Sequence, residues 1–122
     1  SFDNLQGLVY ENVCRELIWQ YQDQLFSFER VGRWWEDDKE IDIVAINSES
    51  KSILFGECKC TNKPVGTNIC EDLKAKTKMV DWKINGRNEY YVLFSVSGFT
   101  PGMIALAKKD KILLINKDKL IS

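Results

Sequence analysis

The chain has 122 residues, of which 44% are hydrophobic and 29% charged. That is the length and composition of one modest globular domain, not of a disordered or collagen-like chain. Its 17 basic and 18 acidic side chains leave a net charge of −1, and it has no histidine, which excludes imidazole metal sites and Ser-His or Cys-His nucleophile pairs.

Residues 3–22 read as a helix, with Val9, Tyr10, Val13, Cys14, Leu17, Ile18 and Tyr21 on one half of the wheel. Residues 25–35 are aromatic-rich and predict a first strand, with Gly32 as a bulge or bend. After the polar turn 36–39, strands are expected over 40–47 and 52–60, joined as a hairpin through NSES. Pro64 and Gly66 mark a loop over 61–67, and Asn68 with Glu71 resembles a capping box. A helix is expected from there to about Ile84, carrying Ile69, Leu73, Val80 and Ile84 on one face, and ended by Asn85-Gly86. Residues 89–97 predict a strand buried on both faces. Thr100 and Pro101 open a short helix, and 111–116 form a last strand. The expectation is a single α/β domain over 1–122: an antiparallel meander, then crossovers that favour parallel pairing, in a mixed central sheet flanked by helices.

The small net charge hides an asymmetry. Residues 1–57 carry 12 acidic and 5 basic side chains, and residues 58–122 carry 6 acidic and 12 basic. An acidic site beside a basic surface suits a cation and a polyanion together. Cys14, Cys58, Cys60 and Cys70 lack the paired close spacing of a zinc knuckle and read as small buried thiols in a reducing compartment. The longest apolar runs, such as Tyr90–Phe94, are too short to cross a bilayer, and no leader opens the chain. A cytoplasmic protein without membrane contact is expected. Because Ser1 is not an initiator methionine, the chain reads as a processed or excised piece.

Alternation along 52–60 sends Ile53, Phe55, Glu57 and Lys59 to one face. A hairpin turning about Glu49–Ser50 sets Asp42 opposite Glu57, and any register of that parity keeps the two on one face. Ionised carboxylates among strand apolars are costly, and two side by side disfavour each other's ionisation. A divalent cation relieves both costs, and oxygen ligands suit Mg²⁺ or Mn²⁺. A salt bridge from either carboxylate to Lys59 or an arginine is the structural alternative.

EIDIVA followed by FGECKC resembles the core of the PD-(D/E)xK, or restriction-endonuclease-like, nuclease superfamily. The resemblance implies an αβββαβ core, here with an extra C-terminal helix and strand. It also implies that Asp42 and Glu57 are metal ligands, that Lys59 holds or activates the attacking water, and that a first-helix glutamate joins the metal. Gly7-Leu8-Val9-Tyr10-Glu11 resembles that helix segment, which points to Glu11, with Glu16 as competitor. Ile41 stands where the superfamily often has proline. GRWW, EIDIVA, ECK-x-TNKPVG and FSVSGFT further resemble the DUF234 domain that closes archaeal-type P-loop ATPases, with Cys60 where that family often has an aromatic residue. No GxxxxGK(S/T) occurs, so the ATPase would lie in an N-terminal part of the same parent chain.

The resemblance implies a Mg²⁺- or Mn²⁺-dependent DNA endonuclease domain, with a homodimer as one way to cut both strands. The alternative is a non-catalytic DNA- or protein-recognition domain of such an ATPase. Lys63 in the loop and Lys76 are the leading phosphate contacts. Lys76 projects near the Ile69/Leu73/Val80 stripe, so it either snorkels or reaches the active-site cleft. Trp34 and Trp35 face opposite ways, which leaves one for the core, and Met79 and Met103 read as core residues.

Overall fold

The computed structural model describes residues 2–122. Helix α1 (Phe2–Leu17) tightens into a 3₁₀ segment, Ile18–Gln24. Strands β1 (Arg30–Glu36), β2 (Lys39–Asn47) and β3 (Ser52–Lys59) follow as an antiparallel meander. Then come α2 (Thr67–Thr77), β4 (Asn88–Ser95), α3 (Pro101–Asp110), β5 (Leu113–Asn116) and a short β6 (Lys119–Leu120). The six strands lie side by side in chain order. The β3–β4 and β4–β5 pairs are parallel and the rest antiparallel, so the expected mixed sheet forms.

Two successive crossovers stepping the same way carry α2 and α3 to one face, because parallel crossovers keep one hand. There Leu73 of α2 and Met103 of α3 pack on Ile41, Phe55, Leu93 and Leu114. Cys14 and Ile18 close the opposite face over Ile43, Leu54, Val92 and Phe94. β3 lies in the middle and is buried from Ser52 to Cys58, so the carboxyl of Glu57 is placed in the interior. Among the described residues no helix is long and apolar enough to cross a membrane.

Several expectations need correction. The α-helix stops at Leu17, and only the Tyr10–Cys14–Ile18 side of its wheel is covered, leaving Val9 and Val13 about half exposed. Residues 25–29 are not strand. Phe28 turns inward, its amide bonded to Gln22 Oε1 and its ring set edge-on against Trp19 and Phe26. Helix α2 ends at Thr77, seven residues early. Arg87 explains the stop, because its guanidinium donates to the carbonyls of Thr77, Val80 and Trp82 and so holds a turn where the helix would have continued. Ile84, beyond the helix end, and Met79, expected in the core, are exposed, and so is Cys60. Trp34 packs into the α2-side core, whereas Trp35 is exposed beneath the Arg33 guanidinium.

Candidate active site

The site begins with an irregularity in β2. Gly32 pairs with Val44 and Trp34 with Ile41, so two residues of β2, Asp42 and Ile43, stand opposite the single Arg33. The extra residue therefore sits on β2 beside Gly32, not on β1. It flips the alternation: Ile41 joins the core under α2, while Ile43 and Ala45 join the core under α1.

The β2–β3 register runs from Asn47↔Ser52 to Ile43↔Gly56, and the hairpin turns about Glu49–Ser50 as expected. Past Gly56 the two strands part. The Cys58 amide donates to Asp42 Oδ2 at 2.9 Å. The Asp42 carbonyl accepts from Arg15 Nη1 of α1, and the Glu40 carbonyl accepts from Lys76 Nζ of α2, each at 2.8 Å. Cations from both helices thus take carbonyls of the diverging strand.

Three carboxyls meet in this opening. Glu57 is buried at 6% exposure. Burial, and then the neighbouring Asp42 carboxyl, push its pKa up to about 8. Glu11 of α1 is pushed up to about 7 by burial first and by Asp42 second. Asp42 is thus the neighbouring carboxyl that raises both glutamates. Glu16 is exposed on the outer side of α1, beside Val9, Val13 and Gln20. The helix carboxylate in this cluster is therefore Glu11.

The cation on Glu57 is Lys76, whose Nζ lies 2.8 Å from Oε1. It pulls the Glu57 pKa down without cancelling the effects of burial and Asp42. Of the two positions left open by the sequence, Lys76 takes the cleft, where its ammonium is held by Glu57. Lys59, on the same strand face as Glu57, is partly buried and pairs with no carboxylate among the described residues. Lys63 is exposed in the loop between β3 and α2.

The donor set is all oxygen and negatively charged, which fits a hard divalent cation such as Mg²⁺ or Mn²⁺. As the side chains lie, no group of three His, Cys, Asp or Glu among the described residues is spaced to hold a metal ion. Glu57 is turned onto Lys76 and Asp42 onto the Cys58 amide, so these oxygens are engaged by donors of the protein itself.

The register extends the site sideways. Lys59 pairs with Ser95, Ser95 with Asn116, and Asn116 with Lys119, a row across four strands at the C-terminal edge of the parallel ones. A cleft of about 430 Å³ opens there, bordered by Ser97, Asn116, Lys117 and Lys119. Asn116 Oδ1 is buried in it without a hydrogen-bond partner. Of this row the sequence marked Lys59 and, within FSVSGFT, Ser95; Asn116 and Lys119 had only the basic excess of the C-terminal half to point to them.

Sheet order and helix placement define a restriction-endonuclease-like fold. The chain belongs to DUF234, a family described as archaea bacterial proteins of unknown function, whose profile matches residues 1–78. An uncharacterized protein of Methanocaldococcus jannaschii is 30% identical over 104 residues, which cover 80% of this chain and 22% of that protein. The chain thus spans about a fifth of that relative's length. Among solved structures, a repair endonuclease from Pyrococcus abyssi aligns over 83% of this chain and 43% of its own, with a TM-score of 0.52 and 13% identity. EndoMS in a complex with double-stranded DNA aligns over 85% of this chain and 43% of its own, with a TM-score of 0.50 and 15% identity. At these identities the likeness is one of fold.

Proposed function

We propose that this chain is a divalent-metal-dependent DNA endonuclease domain that hydrolyses phosphodiester bonds. The observation that carries the reading is the meeting of Glu11, Asp42 and Glu57 where β2 parts from β3. Asp42 and Glu57 would hold Mg²⁺ or Mn²⁺, and Glu11 would close the set from α1. The bound ion would supply a water of lowered pKa and offset charge developing on the phosphate. Lys59 projects from the Glu57 face with no carboxylate partner, so it is the residue to orient the attacking water and face the scissile phosphate. The duplex backbone would run along the Lys59–Ser95–Asn116–Lys119 row, with Lys63 contributing from the adjoining loop. The DNA bound by EndoMS supports DNA as the substrate class. The much greater length of the Methanocaldococcus relative supports placing this domain in a longer chain, which on the sequence resemblance would be a P-loop ATPase.

The test is a cleavage assay on supercoiled and linear DNA, with wild type and Asp42→Asn purified in parallel. Nicking should appear with Mg²⁺ or Mn²⁺, vanish with chelator and fall to background in the variant. Equal activity in both proteins would identify a contaminant. A wild type that binds Mn²⁺ and DNA yet never cuts would transfer the reading to a non-catalytic recognition domain.

A further inference from the structure

The catalytic reading leaves Lys76 without a task, yet Lys76 is the cation that meets a carboxylate of the cluster directly. Its ammonium makes two contacts of 2.8 Å, to Glu57 Oε1 and to the Glu40 carbonyl. Glu57 is the most deeply buried carboxylate of the cluster, so the ion pair is largely screened from water. A full positive charge therefore already sits where the carboxylate cluster would draw a cation, and it occupies an oxygen that a metal would need.

The other side of Lys76 is open. It borders a cleft of about 470 Å³ between α2 and the β1–β2 turn, whose wall includes Asp38, Glu40 and Asp72. Asp72 lies four residues earlier on α2, the spacing at which side chains of one helix face meet. The ammonium thus has an inner partner, Glu57, and an acidic outer wall within the swing of its own side chain.

We propose that Lys76 is a displaceable counter-ion: it neutralises Glu57 in the metal-free protein and swings to the Asp72 side of the cleft when a divalent cation enters. This rests on the metal-site reading above and adds to it that metal affinity is set by competition with a side chain of the protein itself. Removing the inner charge favours the metal, both by freeing the Glu57 oxygen and by removing a like charge beside the ion. Removing the outer carboxylate disfavours it, because the displaced ammonium then loses its alternative partner.

The experiment measures Mn²⁺ affinity by calorimetry and electron paramagnetic resonance at fixed ionic strength and at a series of pH values up to about 9, so that competition from the Glu57 proton is separated from the effect of the counter-ion. It uses metal-stripped wild type, Lys76→Met, Lys76→Arg, Asp72→Asn and Asp42→Asn. Lys76→Met should bind Mn²⁺ about tenfold more tightly or better, the effect of removing one nearby like charge from the site. Lys76→Arg, which keeps the counter-ion, should stay near wild type. Asp72→Asn should bind about twofold more weakly, the scale of a helix-surface pair. If Lys76→Met binds no more tightly than wild type while Asp42→Asn abolishes binding, the counter-ion role is overturned and the metal site stands. If neither wild type nor Lys76→Met binds Mn²⁺, both fall. Should Lys76→Met not fold, Asp72→Asn decides, and unchanged or tighter binding there overturns the proposal.

Discussion

The main-chain amide of Cys58 donates to the carboxylate of Asp42 across 2.9 Å, one rung past the last β2–β3 pair, Ile43↔Gly56. A side chain thereby stands in for a strand carbonyl at the point where the sheet opens. Asp42 belongs to two systems at once: the sheet's hydrogen bonding and the acidic cluster.

That double role separates two substitutions that charge alone would treat as equal. Asp42→Asn keeps an acceptor for Cys58 and removes the charge facing Glu11 and Glu57, so stability near pH 8 should hold or rise. Asp42→Ala leaves a buried amide unpaired and should cost about 1–3 kcal/mol. Urea denaturation of both variants measures the difference. Equal midpoints would remove Asp42 from the ladder.

The raised carboxyls give the metal-free protein an unusual pH dependence. Glu57 and Glu11 release their protons near 8 and 7 in the folded state, against 4.5 ordinarily. Between those values the folded protein binds more protons than the unfolded chain, so stability must fall as pH rises. Denaturation midpoints should therefore drop between about pH 5.5 and pH 8.5 at constant salt, and Glu57→Gln should flatten the curve. On the proposed metal site, excess Mn²⁺ should restore the lost stability at the alkaline end, since it would bind only the folded protein. A midpoint that rises over this range would contradict the burial of these carboxyls.

The facing of Asp42 and Glu57 was legible because a polar turn fixes the hairpin centre, and parity does the rest. The irregularity at Asp42–Ile43 was not. Ile41, Ile43 and Ala45 alternate as in a regular strand, yet Ile41 is buried on the opposite face from the other two. The only hint, Gly32, sits on the partner strand. The end of α2 was hidden for another reason: Arg87, which takes its last carbonyl, lies ten residues downstream, beyond the reach of helical periodicity. Lys76 could be placed near the apolar stripe, but only the folded spacing of α2 and β3 decides that its ammonium meets Glu57. Val9 and Val13 lie on the apolar half of the α1 wheel, but the covered side is narrower than that half.

Gly56 tests how tightly the opening is framed. A Cβ there would lie 2.7 Å from Val92 Cγ1 and 3.1 Å from Ile43 Cβ. Gly56→Ala should therefore cost about 1–3 kcal/mol through overpacking next to Glu57. Trimming the nearer obstacle in Gly56→Ala/Val92→Ala should make the two costs less than additive in a double-mutant cycle. Strict additivity would show that the glycine is not held by that contact.

The basic edge carries an expectation about binding that is independent of cleavage. Lys117 and Lys119 border the cleft at the end of the row that starts at Lys59, whereas Lys108 and Lys109 lie in the last turn of α3, which leads to the start of β5. Every parallel strand ends on the first side, so a duplex reaching Glu57 along that edge passes Lys117 and Lys119 and leaves the α3 pair untouched. Each phosphate contact releases about 0.9 of a counterion, so reversing two contacting lysines should lower the log–log salt slope by about 2 and weaken binding at every sequence. Fluorescence anisotropy with a short duplex, in chelator to prevent cutting, compares Lys117→Glu/Lys119→Glu with Lys108→Glu/Lys109→Glu. The first pair should flatten the salt dependence. The second should shift affinity only through net charge, a loss that fades as salt approaches physiological strength. Equal slopes for the two double variants would mean that DNA does not follow this edge, and the path to Glu57 would have to be sought along the open side of β2.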